Sequence, residues 1–245
     1  MAFHYFHPDQ NNCSMTYKIG VLLSGNGVYD GSEIHESVFT LLAIDENKGE
    51  AICIAPNIDQ HHVVNHLTGD EMQETRNVMV EAARIARGAI TDLSEISSNG
   101  LDALVIPGGF GAAKNLTKWA FKGPDGDINA DVKRIINDMV ANNKPIVGLC
   151  MGPTVIAKAL EDANLKPHLT VGTTAEASPY EIDAISQGLE KAGAVVEMKS
   201  IKEISIDETN KIICAPSYMM EGSITDVRNN IKQGIDQLFE MLESE

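Results

Sequence analysis

This chain of 245 residues has no C-x-x-C pair, no cluster of basic residues and no long apolar run. Each absence excludes something. Its four cysteines, Cys13, Cys53, Cys150 and Cys214, are widely scattered, so neither a zinc ribbon nor a disulfide scaffold is indicated. Lys and Arg number 19 against 35 Asp and Glu, for a formal net charge of -16. That is the wrong sign for a surface that must neutralise nucleic-acid phosphate or anionic lipid, so no nucleic-acid and no membrane partner is expected. No apolar run reaches the roughly 20 residues of a spanning helix. Internal repeats and low-complexity linkers are also missing. Residues 1–14 hold no Lys or Arg and show no period, which resembles neither a signal peptide nor a transit peptide. The expectations are a mobile tail over residues 1–15, one domain over residues 16–245 and a cytoplasmic location. His4, His7 and Cys13 fit no standard ligand spacing, and no metal is expected.

A hydrophobic content of 43% with 22% charged residues suits one soluble globular unit. A strand from Lys18 (K-I-G-V-L-L-S-G) runs into a glycine-rich loop. Ser32 or Asp30 then caps a helix with Ile34, Val38, Leu41 and Leu42 on its apolar face. The loop spacing, G-N-G-V-Y-D-G, is one residue too long for a dinucleotide fingerprint and has no basic neighbour, so no cofactor is expected. Further strands are predicted at Ala51–Ala55 and Leu101–Pro107, with a long helix over Asp70–Arg87 between them. His61, His62 and His66 read as solvated or hydrogen-bonded histidines. The third strand ends in G-G-F-G-A-A-K-N-L, whose glycines would expose backbone N–H groups at the carboxyl end of a parallel sheet. Helices at Asp131–Asn142, Ile182–Ala192 and Ile224–Leu242 follow. They alternate with short strands at Leu169–Gly172, Val195–Met198, Ile204–Ile206 and Ile212–Ala215, the last two forming a hairpin. This alternation specifies an α/β fold, a mostly parallel sheet with helices on both faces.

The stretch K-P-I-V-G-L-C-M-G-P-T, Lys144 to Thr154, carries the clearest chemistry. An apolar strand stops at Cys150, and Gly152 and Pro153 open a helix. Gly148 and Gly152 flank the cysteine as small residues flank the nucleophile of a strand-turn-helix elbow. A helix N-terminus favours a thiolate, and its free N–H groups can hold an oxyanion. A buried structural cysteine is the competing reading, and Cys53 and Cys214, inside apolar strands, are read that way.

Taken together, P-G-G-F-G-A-A-K-N-L, G-L-C-M-G-P-T and A-P-S-Y-M resemble the ThiJ/PfpI superfamily, a class I glutamine-amidotransferase-like flavodoxin fold. The segments S-G-N-G-V-Y-D-G-S-E-I-H-E and N-H-L-T-G-D-E-M-Q-E-T-R-N-V are similar to its ElbB branch, described as glyoxalase-like and named for a supposed link to isoprenoid synthesis. The resemblance covers Lys18 to the C-terminus and implies a three-layer sandwich. It pairs Cys150 with Glu36 (E-S-V) rather than Glu33, and implies a shared proton, the cysteine pKa falling as the glutamate pKa rises. Glu33 would complement the helix dipole. The N–H groups of Met151 and of Gly109 or Phe110 would bind an oxyanion. Two departures matter. Met151 stands where PfpI-type members have histidine, and His168, the one histidine of the C-terminal half, is off the triad position; it reads as a surface or structural residue, with pocket lining as the alternative. The implied activity is cofactor-independent and glyoxalase III-like. It converts a small 2-oxoaldehyde, methylglyoxal or glyoxal, into a 2-hydroxy acid through a Cys150 hemithioacetal. The alternatives are a cysteine-based oxidative-stress sensor or chaperone, and an amidotransferase-like subunit without its triad histidine. A small aldehyde substrate and a homodimer are the implied partners.

Overall fold

The computed structural model describes residues 16–244. The expected mobile tail, with His4, His7 and Cys13, lies outside the described residues. In chain order the elements are β1 (Lys18–Leu22), α1 (Ile34–Glu46), β2 (Glu50–Ala55), α2 (Val78–Ile85), β3 (Thr91–Asp92), β4 (Ala103–Ile106), α3 (Trp119–Lys122) and α4 (Ala130–Ala141). They continue with β5 (Ile146–Leu149), α5 (Gly152–Leu160), β6 (His168–Leu169), α6 (Ile182–Lys191), β7 (Val195–Val196), β8 (Ser205–Asp207), β9 (Ile212–Ala215) and α7 (Ile224–Glu243).

Seven strands form one sheet in the order β3-β2-β1-β4-β5-β9-β8, parallel except for the β8-β9 hairpin. A single row of side chains crosses it, Cys53, Val21, Val105, Val147, Ile213 and Ile206. β4, β5 and β9 are buried along their whole length, so they read as continuous apolar runs rather than alternating ones. Helices α1 and α7 pack together, as do α4 and α5, and the two pairs cover the sheet as the outer layers of the flavodoxin-like sandwich. Strand order reverses between β1 and β4. The loops after β1, β4 and β5 therefore open side by side at the carboxyl edge, where such sheets place their ligands.

Four expectations need correction. The apolar face assigned to the first helix points outward: Ile34, Val38 and Leu42 are 45%, 46% and 43% exposed. The buried stripe is instead Glu36, Ser37, Thr40, Ala43 and Ile44. Ser37 and Thr40 tolerate burial because their hydroxyls donate to Glu33 O and Glu36 O one turn back, and their small size lets α1 approach α7. The helix cap is Glu33, whose carboxylate accepts from Glu36 N at 2.7 Å, not Ser32 or Asp30. The helix expected over Asp70–Arg87 is confined to Val78–Ile85. Residues 70–77 pair backward along the chain instead, through Met72 N to Val63 O and Gln60 N to Arg76 O, both 2.7 Å, until the Asn77 side chain caps Val80 N. The expected strands at Leu169–Gly172 and Val195–Met198 shorten to β6 and β7, which pair with each other outside the main sheet.

Candidate active site

Cys150 ends β5 with φ of 54°, in the left-handed region that a residue with a side chain seldom adopts. The turn is held by Cys150 N donating to Ala215 O at 3.0 Å and by α5 starting two residues later. The thiol is thereby lifted off the sheet and aimed across the loop after β4. There it faces Glu36 from the first turn of α1, close enough for the charge of each group to act on the other. Gly108 makes the meeting possible: a Cβ at that position would lie 2.6 Å from Glu36 Oε2 and 2.8 Å from the Cys150 sulfur.

The pair is dry. Glu36 is wholly buried and Cys150 is 4% exposed. Gly108 N donates to Glu36 Oε2 at 3.0 Å and Tyr218 N to Oε1 at 3.2 Å. These donors favour the carboxylate, but burial outweighs them, and with the nearby Glu33 charge it pushes the Glu36 carboxyl up to about 8. Burial, and then the Glu36 charge, likewise push the Cys150 thiol well above its ordinary value, against the N–H groups of Gly109 and Met151 that face the sulfur. The expected fall in the cysteine pKa is therefore not what the geometry produces. A helix N-terminus and two N–H groups do not compensate for a fully desolvated sulfur beside a carboxylate. Burial therefore drives both groups toward their protonated forms.

The glycine-rich loop is less open than its sequence suggests. Phe110 N donates to Val28 O and Gly111 N to Gly31 O, at 2.7 and 2.9 Å, while Glu33 N returns a bond to Gly108 O at 3.0 Å. The loops after β1 and β4 are thus zipped together. Of the two alternatives Gly109 and Phe110, only the Gly109 N–H faces the thiol, with that of Met151. Asn115 fastens the same junction, donating to Ser24 O and Asp30 O and accepting from His61 N, each at 2.9 Å.

Glu33 stays at the cap, 3.9 Å from His35 Nδ1. His168 is not brought to the pair. It lies on β6, its Nδ1 2.9 Å from Glu197 Oε1 and its backbone N–H on Asp207. Cys53 and Cys214 are buried, their thiols pushed up to about 11 and about 12 by desolvation. His66 accepts from Tyr29 N, and the His61 and His62 rings pack around Phe121. Among the described residues, no group of three or more His, Cys, Asp or Glu is placed to hold a metal.

Three neighbours were not singled out in the sequence. Tyr218 carries one of the two N–H groups on Glu36, and its hydroxyl meets His35 Nδ1 at 2.8 Å. Its position inside A-P-S-Y-M was the available signal, as adjacency to Glu36 was for His35. Tyr180 stands near enough for the charges of Cys150 and Glu36 to act on its hydroxyl, and only the short S-P-Y before α6 marked it.

The comparisons with known proteins agree with this fold. No family model matches the sequence. The chain is 35% identical over 226 residues to the human glutamine amidotransferase-like class 1 domain-containing protein 3, mitochondrial, covering 91% of this chain and 83% of that protein. The chain belongs to that family. A second member, the mitochondrial ES1 protein homolog of Rattus norvegicus, is 34% identical over 226 residues, covering 91% of this chain and 84% of that protein. Among solved structures, an isoprenoid biosynthesis protein with an amidotransferase-like domain from Ehrlichia chaffeensis superposes with a TM-score of 0.84 at 32% identity, covering 93% of this chain and all of that one. A ThiJ/PfpI domain protein from Brachyspira murdochii shares the fold alone, with a TM-score of 0.55 at 15% identity over 95% of this chain and 99% of that one. The family also corrects the expected cytoplasmic location, because the human and rat amidotransferase-like relatives are mitochondrial by name.

Proposed function

We propose that this member of the amidotransferase-like family converts a 2-oxoaldehyde into a 2-hydroxy acid without a cofactor. The observation that carries the reading is the buried placement of Cys150 and Glu36 against each other across Gly108, where an added Cβ would touch both, with burial pushing the Glu36 carboxyl up to about 8. A carboxyl poised there both gives and takes a proton near neutral pH, as a shuttle between adjacent carbons requires.

The steps balance. Ionised Glu36 takes the thiol proton as the sulfur bonds to the aldehyde carbon, and the aldehyde oxygen, facing the N–H groups of Gly109 and Met151, is protonated to a hemithioacetal. Glu36 next removes the C1 proton while the C2 carbonyl oxygen gains one, giving an enediol; return of a proton to C2 as the C1 hydroxyl gives up its own leaves a 2-hydroxy thioester. C1 has been oxidised and C2 reduced. Water cleaves the thioester, releasing the acid and restoring the thiol. The oxidant-sensor alternative has less support, because a thiol held protonated in a dry site reacts slowly with peroxide.

The test is lactate formation from methylglyoxal by the wild type, Cys150→Ser and Glu36→Gln. Each variant is expected to lose at least about 100-fold in kcat/KM, the usual range for removing an acid–base group. Wild-type rates in both would sink the reading.

A further inference from the structure

Next to the elbow, the G-G-F-G-A-A segment, α3 and α6 line an open cleft of about 280 Å³. Its walls include Phe110, Ala113, Trp119, Met151, Tyr180 and Ile185. We propose that this cavity is a binding site for an apolar substituent of the substrate, of the size of an aromatic ring or a branched alkyl chain, joined to the carbonyl that Cys150 attacks.

Placement is the first argument. Met151 and Phe110 directly follow Cys150 and Gly109, so two wall side chains hang from the backbone that presents the nucleophile and its N–H donors. The cavity therefore adjoins the elbow that carries Cys150. Chemistry is the second. None of the lining side chains is charged, and the polar groups they offer are the Tyr180 hydroxyl and the Trp119 indole N–H. A carboxylate or phosphate there would lose water to walls that carry no charged side chain, the nearby Lys114 and Lys158 ammonium groups being engaged with Tyr29 O and Pro124 O. Size is the third. An apolar cavity of about 150 Å³ already accepts benzene, whereas the methyl of methylglyoxal would leave most of this space empty.

The space is also actively kept. Phe110 and Tyr180 meet edge to face, their ring centres 5.9 Å apart, which fixes one wall. Gly188 of α6 lets the indole lie close, for a Cβ there would fall 2.8 Å from Trp119 Cζ2. Burial, with the charges of Cys150 and Glu36, pushes the Tyr180 hydroxyl up to about 12, so it keeps its proton and can donate a hydrogen bond.

The identity of the reacting group rests on the 2-oxoaldehyde reading, but the cavity can be tested apart from it. First, kcat/KM is compared for phenylglyoxal and methylglyoxal. Second, the alkylation rate of Cys150 is compared for N-benzyliodoacetamide and iodoacetamide, each divided by its rate with free glutathione, with Cys150→Ser as the site control. Ala184→Phe fills the cavity from an exposed position on α6. The wild type is expected to favour the ring-bearing partner at least tenfold in both assays, and Ala184→Phe to bring both ratios toward one. A tenfold alkylation preference without turnover of either aldehyde would support the cavity and overturn the glyoxalase-type reading alone. Equal normalised alkylation of the wild type by the two reagents would overturn the cavity proposal whatever the variant does, as would a preference that Ala184→Phe leaves intact.

Discussion

Glu36 and Cys150 are two acids in one dry space, and their cost to the fold follows from that. A carboxyl whose native value is about 8 against an ordinary 4.5 gives stability that is fully present below 4.5. That stability is lost as pH rises toward 8, because the unfolded chain releases the proton first. At about 1.4 kcal/mol per pH unit the loss is on the order of 5 kcal/mol. Urea unfolding at pH 5 and pH 8 checks this: the wild type should weaken over that interval, and Glu36→Gln, with nothing to titrate, should weaken markedly less. Equal slopes would mean that Glu36 is charged in the native protein. At this scale the sequence was partly legible. The G-x-C-x-G spacing located Cys150, and the family pattern selected Glu36 over Glu33. The direction of the thiol shift was not legible, because it depends on how completely Gly108, Met151 and Tyr218 exclude water.

Between elements, the site is held by backbone bonds that no spacing rule reveals. The G-G-F-G run was expected to offer free N–H groups, yet those of Phe110 and Gly111 are engaged by the first loop. Periodicity also misassigned α1. Ile34, Val38 and Leu42 recur at helical spacing, but the helix turns Glu36 inward toward the elbow and leaves them outside. The overlong helix at Asp70–Arg87 failed because residues 70–77 found backbone partners in residues 58–65. The central strands and the hairpin were legible, since buried parallel strands announce themselves as short apolar runs. Asn115 is the side chain to test here. Asn115→Ala leaves two buried carbonyls and one N–H without partners, at about 1–3 kcal/mol for each group left unsatisfied. Thermal unfolding should fall by several degrees, with kcat reduced further than KM as the loops holding Gly109 and Glu36 loosen. A variant with unchanged melting and turnover would show that the junction does not position the site.

For the molecule as a whole, the outward face of α1 bears on the homodimer that the resemblance implies. Ile34, Val38 and Leu42 form an apolar stripe on an acidic protein of net charge -16. If that dimer uses this face, Val38→Glu should shift the species seen by sedimentation from dimer to monomer while leaving the fold intact. A dimer unaffected by the charge would place the contact elsewhere. The helix that carries this stripe also carries Glu36 on its opposite side, so the same variant reports whether assembly matters to turnover.

Glu36 governs the reactivity of Cys150. The most direct measurement is the rate of Cys150 alkylation by iodoacetamide against pH, in the wild type and in Glu36→Gln. The geometry predicts a wild-type rate that rises through about pH 8, as Glu36 ionises and can take the thiol proton, and a variant in which that step is absent. A wild-type thiol that is fully reactive well below pH 8, or one that titrates identically in both proteins, would contradict it.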